Sequence, residues 1–303
     1  MEDKICVILV NYNGKKYNDK CISSILKSTY KREMQILIVD NASTDGSLNE
    51  LQEQWGSNQS VNIIPLEDNY GFSKANNVGI KWALEHGFYY LLLLNNDTEV
   101  EENAIERMIK YQEMEGGIVV PKILYADTPN ILWCAGGFFT PIIKKAVQRG
   151  LGEEDKGQYD MNGKCSFANG CCMLLTSSIV NQLGFLDERF FLYYEDTEYS
   201  MRALNRGVAI NYCSNAAIYH KVNGSTGGNS KPANAYYISR NWLLCNRQYM
   251  GKRFIWFKIY FYLNRLAWSL IWKIKGKDDM IRAMWEGIED YKNGCTGKWN
   301  NVD

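Results

Sequence analysis

The chain has 303 residues, with 34 Lys and Arg against 34 Asp and Glu, 46% hydrophobic and 22% charged residues. That is the balance of a globular enzyme with a substantial core, built as one large domain or one domain plus an appendage. The zero formal net charge gives none of the basic excess that a DNA- or RNA-binding chain carries, so nucleic acid is not an expected partner.

The opening residues MEDKICVILVNYN enter an apolar strand with no basic n-region, which predicts a cytoplasmic protein with no signal peptide. Within them Ile5–Asn11 is a short unbroken apolar run, the mark of a strand buried on both faces. Residues 16–27 then set Cys21, Ile22, Ile25 and Leu26 on one helical face. Further buried strands are predicted at Met34–Asp40, 61–66 and 89–95, with helices over 74–85 and 101–115. Such alternation implies an α/β fold with a Rossmann-like, mostly parallel central sheet, flanking helices and right-handed crossovers. Ligands of these sheets bind at the carboxyl ends of the strands. Asn11, Asn13, Asp40, Asn41, Asp68, Asn69 and Asn95 to Asp97 are therefore expected on one rim. Turn and cap chemistry explains some of them, but less well why four consecutive strands end this way.

From about Gly116 the rhythm loosens, and residues 121–160, rich in Gly and turn formers, are expected to form an insertion covering the sheet. A strand is predicted at 171–176, a helix from near Asp196, and short strands at 208–212 and 217–220, followed by the loop GSTGGNSKPAN. Nine cysteines lack any repeated C-x-x-C spacing and read as free thiols in a reducing compartment; Cys171 and Cys172 fall in the apolar run CCMLL, a buried strand. Phe254–Ile274 is helical and aromatic but interrupted by Lys258, Asn264, Arg265 and Lys273. A charge at the centre of a spanning helix costs roughly 3 kcal/mol, so Arg265 argues against a transmembrane helix. Two readings stay open, a helix packed on the rest of the chain and an interfacial helix with Trp and Tyr at headgroup level. A homodimer through this helix is also open.

Three strings carry chemistry. The run LLLL ends in Asn95-Asn96-Asp97, and a carboxylate at a strand end suits a divalent metal held against a diphosphate, Mg²⁺ or Mn²⁺ by its oxygen ligands; capping of the next helix competes. In DNASTDGS, residues 40–47, Asp40 is a candidate acceptor for a nucleobase or ribose, with N-capping again the competitor. Glu195-Asp196 follows the aromatic FFLYY at a helix start, where the dipole stabilises carboxylates and an apolar flank raises a carboxyl toward general-base range. Of the two histidines, His86 reads as a helix C-terminal residue and His220, at a strand end, as functional.

Together VILVNYN, VDNASTDGS, NYGFSKANNVGI, LLLNNDTEV, ANGCCML, GFLDERFFLYYEDTEYSMR and HKVNGST resemble the family-2 glycosyltransferases of the GT-A fold, in order and approximate spacing across residues 5–247. The nearest likeness is to the rhamnosyltransferase-like branch that builds bacterial surface polysaccharides. The resemblance implies a GT-A domain over 1–230, with a nucleotide-binding half to about 115 and an acceptor-binding half beyond, then a helical extension over 231–303. It implies a nucleotide diphosphate sugar as donor, dTDP-rhamnose or a UDP-hexose, and a glycan acceptor that lipid linkage would bring to the inner face of the plasma membrane. By position, Asn11, Asn13, Asp40, Asn69, Asn77, Asn95 and Asn96 would serve the nucleotide sugar, and Asp97 with His220 the metal, Mn²⁺ or Mg²⁺. The chain departs from the family's D-x-D element, since Asn95 replaces the first Asp and adds no charge. The implied reaction is a single displacement with inversion, with Asp196 as base and Glu195 orienting acceptor hydroxyls, an order that is reversible. Arg240 and Asn241 are weaker candidates for acceptor or diphosphate contacts.

Rivals fare less well. A sugar nucleotidyltransferase would open with a Gly-rich loop, where VNYNGKKY has one Gly. A nicotinamide oxidoreductase would carry G-x-G-x-x-G after the first strand, which is absent. A non-catalytic nucleotide-sugar-binding or scaffolding protein on the same fold would be expected to have lost Asp97 or the Glu195-Asp196 pair, and both are present.

Overall fold

The computed structural model describes residues 4–30, 32–221 and 231–300; the loop residues VNGSTGGNS, which the sequence singles out, lie outside them. The first half alternates as its periodicity predicts: β1 (Ile5–Asn11), α1 (Asn18–Leu26), β2 (Met34–Asp40), α2 (Ser47–Trp55), β3 (Val61–Pro65), α3 (Phe72–Glu85) and β4 (Tyr90–Asn95). There follow β5 (Thr98–Val100), α4 (Ala104–Glu115), β6 (Ile118–Tyr125), β7 (Leu132–Cys134), β8 (Gly137–Phe139), β9 (Ala146–Gln148) and β10 (Gly163–Cys165). Then come β11 (Cys172–Thr176), α5 (Ser177–Leu183), α6 (Glu195–Asn205) and β12 (Ile210–His220). Three C-terminal helices close the chain, α7 (Pro232–Tyr249), α8 (Phe254–Ile274) and α9 (Asp278–Asn293).

Ten of the described strands form one sheet in the order β10-β12-β6-β11-β4-β1-β2-β3, with β5 on β12 and β7 on β6, and β8 and β9 pair separately. From β3 to β4 every pairing is parallel; β11 runs antiparallel to both β4 and β6, and β12 is parallel to β6. Both faces of the parallel half are covered, as such sheets require. Val7, Leu9, Ile36, Ile38, Leu92 and Leu94 pack with α1 and α4 residues on one side. The alternating Cys6, Ile8, Leu37, Val39, Leu91 and Leu93 pack with α3 and α6 on the other. Register then aligns the strand ends: Asn11 is opposite Asp40, and Val10 lies between Val39 and Asn95.

Two expectations change. Residues 121–125 are no covering insertion but the second half of β6, a sheet strand. Proline, which lacks an N–H to donate, is confined to edges and irregularities, and Pro121 meets Cys213 where the register of β12 shifts. The same shift, between Cys213 and Ala217, is why two predicted short strands are one strand, Ile210–His220.

The C-terminal helices dock on the sheet-bearing part through α7, whose Asn241 Nδ2 donates to the carbonyls of Leu192 and Tyr193 at 2.9 Å each. Helix α8 buries Phe254, Phe257, Phe261 and Arg265 and leaves the opposite side exposed. Arg265, the charge that interrupts the apolar run, is 7% exposed, donates to Ser239 Oγ at 3.1 Å and lies over the Trp242 and Phe261 rings at 5.3 and 5.2 Å. Among the described residues no helix is long and apolar enough to cross a membrane. Helices α7 and α9 approach closely at Gly287, where a Cβ would stand 2.5 Å from the Tyr236 carbonyl oxygen. Replacing Gly287 by Val should therefore push the two helices apart and destabilise the protein by about 1–3 kcal/mol, read as a lower urea midpoint at unchanged m-value.

Candidate active site

The rim of the parallel half is organised around the Asn11 side chain, which is fully buried. Its Nδ2 faces Asp40 Oδ1 at 2.6 Å, Ser47 Oγ at 2.9 Å and Ser43 Oγ at 3.1 Å. Its Oδ1 accepts from Asn18 Nδ2 at 2.9 Å and Asn96 Nδ2 at 3.0 Å, and Asn96 also donates to Asn18 Oδ1 at 2.8 Å. The network is crowded enough to require Gly14, where a Cβ would lie 2.1 Å from Asn96 Nδ2 and 2.5 Å from Asn11 Oδ1. Asp40 is 1% exposed, and its second oxygen accepts from the Ser43 N–H at 3.0 Å. Asn13, exposed and in the left-handed region at φ 54°, accepts from Thr44 N at 2.8 Å. Asn69 Oδ1 accepts from Asn41 Nδ2 and Gly71 N at 2.8 and 3.0 Å.

Sequence reasoning expects all of these to face a ligand. The structure turns Asn11, Asp40 and Asn96 inward as braces of the rim and leaves Asn13 and Asn69 the more open. Asn18, Ser43 and Ser47 belong to the same network and were missed, because in sequence they look like ordinary helix-start and turn residues.

Next along the rim, Asn95 closes β4, with its N–H donating to the Cys171 carbonyl at 2.9 Å. Its Oδ1 is buried and has no hydrogen-bond partner among the described residues. Asp97 and His220 meet because β5 pairs antiparallel with β12, setting His220 opposite Thr98. His220 Nε2 is 3.2 Å from Asp97 Oδ1, both side chains are more than nine-tenths buried, and the imidazole stands edge-on to Trp133 at 4.6 Å. Asp97 borders a cleft of about 380 Å³ lined also by Lys16, Tyr17, Lys20, Asp127 and Lys221. Among the described residues no three His, Cys, Asp or Glu side chains cluster into a complete metal site. His86 is elsewhere, stacked on Trp82 at 3.9 Å and bonded to the Trp82 carbonyl at 2.7 Å, as a helix-end residue should be.

The carboxylate pair stands at the first turn of α6. Asp196 Oδ2 accepts from Gly170 N at 3.0 Å and its Oδ1 from Thr197 N at 2.6 Å. Gly170 is followed by the Cys171 that bonds Asn95, so the segment 169–171 ties the end of β4 to the start of α6. Burial raises the carboxyl of Asp196 above the ordinary range, opposed by those donors. Burial, and then the charge of Asp196, push Glu195 up to about 8, and Glu195 Oε2 is buried with no partner among the described residues. One of the two acids is therefore neutral at pH 7.

What aims this turn is a strap of long-range contacts. Tyr193 and Tyr194 hold φ of 66° and 75°, a conformation costly for such side chains. It is held by Asn241, whose amide binds the carbonyls of Leu192 and Tyr193. Upstream, Ser73 Oγ donates to the Phe190 carbonyl at 2.7 Å, and Phe72 N to that of Phe191 at 2.7 Å. Gly71, at φ 86°, leaves a space where a Cβ would lie 2.5 Å from the Phe191 oxygen. Asn77 donates to the Leu186 carbonyl at 2.9 Å and accepts from its N–H at 2.9 Å. Asn77, expected beside the nucleotide, is bonded to the segment leading into Glu195. Of the two weaker candidates, Asn241 is engaged with this strap, and Arg240, 1% exposed, directs its guanidinium to Asn241, Tyr236 and the Gly297 carbonyl.

Two consequences are measurable. Asn11→Ala strips Asp40, Asn96 and Asn18 of their shared partner and should cost about 2–4 kcal/mol in urea unfolding. Glu195 has a folded pKa above its unfolded value, so the stability it contributes is present below about pH 4.5 and lost as pH rises toward about 8. Glu195→Gln should accordingly gain on the parent by on the order of 1–4 kcal/mol between pH 5 and pH 8.5, measured by urea unfolding at both.

The model of the family described as glycosyl transferase family 2 matches residues 6–184. The low-salt glycan biosynthesis hexosyltransferase Agl10 of Haloferax volcanii is 29% identical over 226 residues, 70% of this chain and 66% of its own length. The dTDP-rhamnosyl transferase RfbF of Shigella flexneri is 24% identical over 258 residues, 82% of this chain and 81% of its own. Among solved structures, GalNAc-T7 with UDP, GalNAc and Mn²⁺ shares the fold, with a TM-score of 0.65 at 18% identity over 99% of this chain and 59% of that one. The strand order, the polar rim and a family match over more than half of its length agree: the chain belongs to glycosyl transferase family 2, on the GT-A fold.

Proposed function

We propose that the protein is a metal-dependent, inverting glycosyltransferase that moves a sugar from a nucleotide diphosphate sugar to a glycan hydroxyl in surface polysaccharide synthesis. The donor is dTDP-rhamnose or a UDP-hexose; similarity to a dTDP-rhamnosyl transferase and to a hexosyltransferase supports both. The observation that carries the reading is the link through Gly170 and Cys171, which joins Asn95, beside Asp97 and His220, to Asp196. A donor-side and an acceptor-side carboxylate are thereby held by one short segment, the arrangement a single displacement requires.

The donor set fits a divalent cation. The 3.2 Å between Asp97 Oδ1 and His220 Nε2 is close to the ligand–ligand spacing of about 3.0 Å in an octahedral shell of about 2.1 Å radius. Asn95 Oδ1, two residues before Asp97 in sequence, is a buried acceptor with no partner among the described residues, suited to a ribose hydroxyl or to the ion itself. Oxygen and imidazole donors of this kind suit Mn²⁺ or Mg²⁺ completed by phosphate oxygens. When bound, the ion supplies electrostatic stabilisation to the leaving diphosphate. Asn13 and Asn69 are assigned to the nucleoside, with Asn11, Asp40 and Asn96 bracing them.

On the acceptor side Asp196 takes the hydroxyl proton as the new bond to the anomeric carbon forms and the bond to the diphosphate oxygen breaks. Its burial strengthens it as a base. Glu195, neutral at pH 7 because burial raises it to about 8, keeps an O–H to donate to an acceptor hydroxyl. Purified protein incubated with a panel of nucleotide sugars and Mn²⁺ or Mg²⁺ should release nucleotide diphosphate from one of them. Asp97→Ala and Asp196→Asn should each lower kcat by about 100-fold or more, with only Asp97→Ala also losing metal-dependent thermal stabilisation by the nucleotide. If no nucleotide diphosphate binds with metal present, the transferase reading fails and a binding or scaffolding role takes its place.

A further inference from the structure

Helix α8 is apolar on both sides, but only one side has a partner. Phe254, Phe257, Phe261 and Arg265 face the other helices. On the far side Trp256 is 70% exposed, Leu263 63%, Leu270 68% and Ile274 87%. With the half-exposed Ile259 and Leu266 these fall within a sector of about 80° at about 100° per residue. No charged residue of α8 falls inside that sector. The result is an unbroken apolar strip about 30 Å long, where monomeric soluble proteins seldom expose a contiguous patch above a few hundred Å².

The charges around it are one-sided. From Gly251 to Lys277 the chain has seven Lys and Arg and no Asp or Glu. Asp278 and Asp279 follow, and Lys273 is paired with Asp278 at 3.0 Å, which leaves Lys252, Arg253, Lys258, Lys275 and Lys277 as the basic excess at the surface. Arg265 is inside the protein; the rest stand toward the two ends, Lys252, Arg253 and Lys258 at one and Lys273, Lys275 and Lys277 at the other. A second copy is a poor occupant. Pairing two such strips, parallel or antiparallel, sets basic ends against basic ends with no carboxylate in the segment to offset them. A surface of anionic headgroups meets both ends at once while its acyl boundary takes the strip. Trp and Tyr side chains on this helix suit the headgroup level. Spanning is excluded by the same helix, since its other face is held by Arg265 on Ser239.

We propose that the outward face of α8 seats the protein on an anionic lipid surface, the helix lying in the plane of the headgroups. The inference does not rest on the transferase reading, although it would bring a lipid-linked acceptor within reach. Full-length protein should float with vesicles of phosphatidylcholine containing about one part in three phosphatidylglycerol, and much less with phosphatidylcholine alone. Binding should fall roughly tenfold or more in Leu263→Glu/Leu270→Glu and several-fold in Lys273→Glu/Lys275→Glu, and should weaken in high salt. Both pairs are at the surface, so the stability from urea unfolding should stay within about 0.5 kcal/mol of the parent's. Absence of binding to the anionic vesicles, or binding unchanged by Leu263→Glu/Leu270→Glu, overturns the proposal. So does a solution dimer that this variant dissociates while vesicle binding is lacking, which assigns the strip to a second copy.

Discussion

One buried amide sets the geometry on which the rest of the rim depends. Asn11 ends the strand between β2 and β4, and its side chain is the place where the loops after all three strands are joined. A primary amide has two donors and an acceptor with two lone pairs, and here both ends are used, toward Asp40, Ser43 and Ser47 on one side and Asn18 and Asn96 on the other. A fully satisfied network in a low-dielectric setting is rigid, and a half-satisfied one is costly. Asp97 follows Asn96 directly, so the carboxylate assigned to the metal inherits its position from this knot.

The Glu195-Asp196 turn is built on the opposite principle. Its carboxylates are on a helix start reached through two residues in the left-handed region, Tyr193 and Tyr194. Such a turn persists only where its surroundings over-determine it. The surroundings are Asn241 from α7, and Phe72, Ser73 and Asn77 from α3, each bonded to backbone of the 186–193 segment. Helix α7 is therefore more than a tail: the C-terminal extension contributes to the shape of the carboxylate pair. Helix α3 links the two halves, since the Asn69 turn that precedes it bonds Asn41 on the rim.

The helical extension also resolves a contradiction in composition. A 21-residue run with aromatic and aliphatic residues on every side would be a membrane span if it carried no charge. Arg265 in its middle is instead the anchor of the protein-facing side, where burial lowers its pKa yet Ser239 and two aromatic rings receive it. The remaining apolar side is then left over for a different environment, and the charges at its ends select which one.

The first four strands were legible because a strand covered on both faces leaves an apolar run that period and length detect without reference to anything else. Their polar ends were legible for the same reason, since only a rim tolerates Asn and Asp after such runs. The aromatic flank before a helix start and a histidine at a strand end put Glu195-Asp196 and His220 among the candidates, and Asp97 and His220 lie 3.2 Å apart. What local pattern could not supply was the partner of each polar group. Asn11 reaches Asp40 across 29 residues, Asn77 reaches Leu186 across 109 and Asn241 reaches Leu192 across 49. Whether an amide faces a ligand or a distant carbonyl is decided by strand register and helix docking, and neither leaves a trace in periodicity. Pro121 in β6 shows the same limit, for the irregularity in β12 that accommodates it lies some ninety residues downstream. The sequence by itself determined which segments are buried and where polarity breaks out of them, because burial is a local property of side chains. Only the tertiary structure decided which of those polar groups brace the site and which open onto it, because hydrogen bonds are made between groups that the chain brings together from far apart.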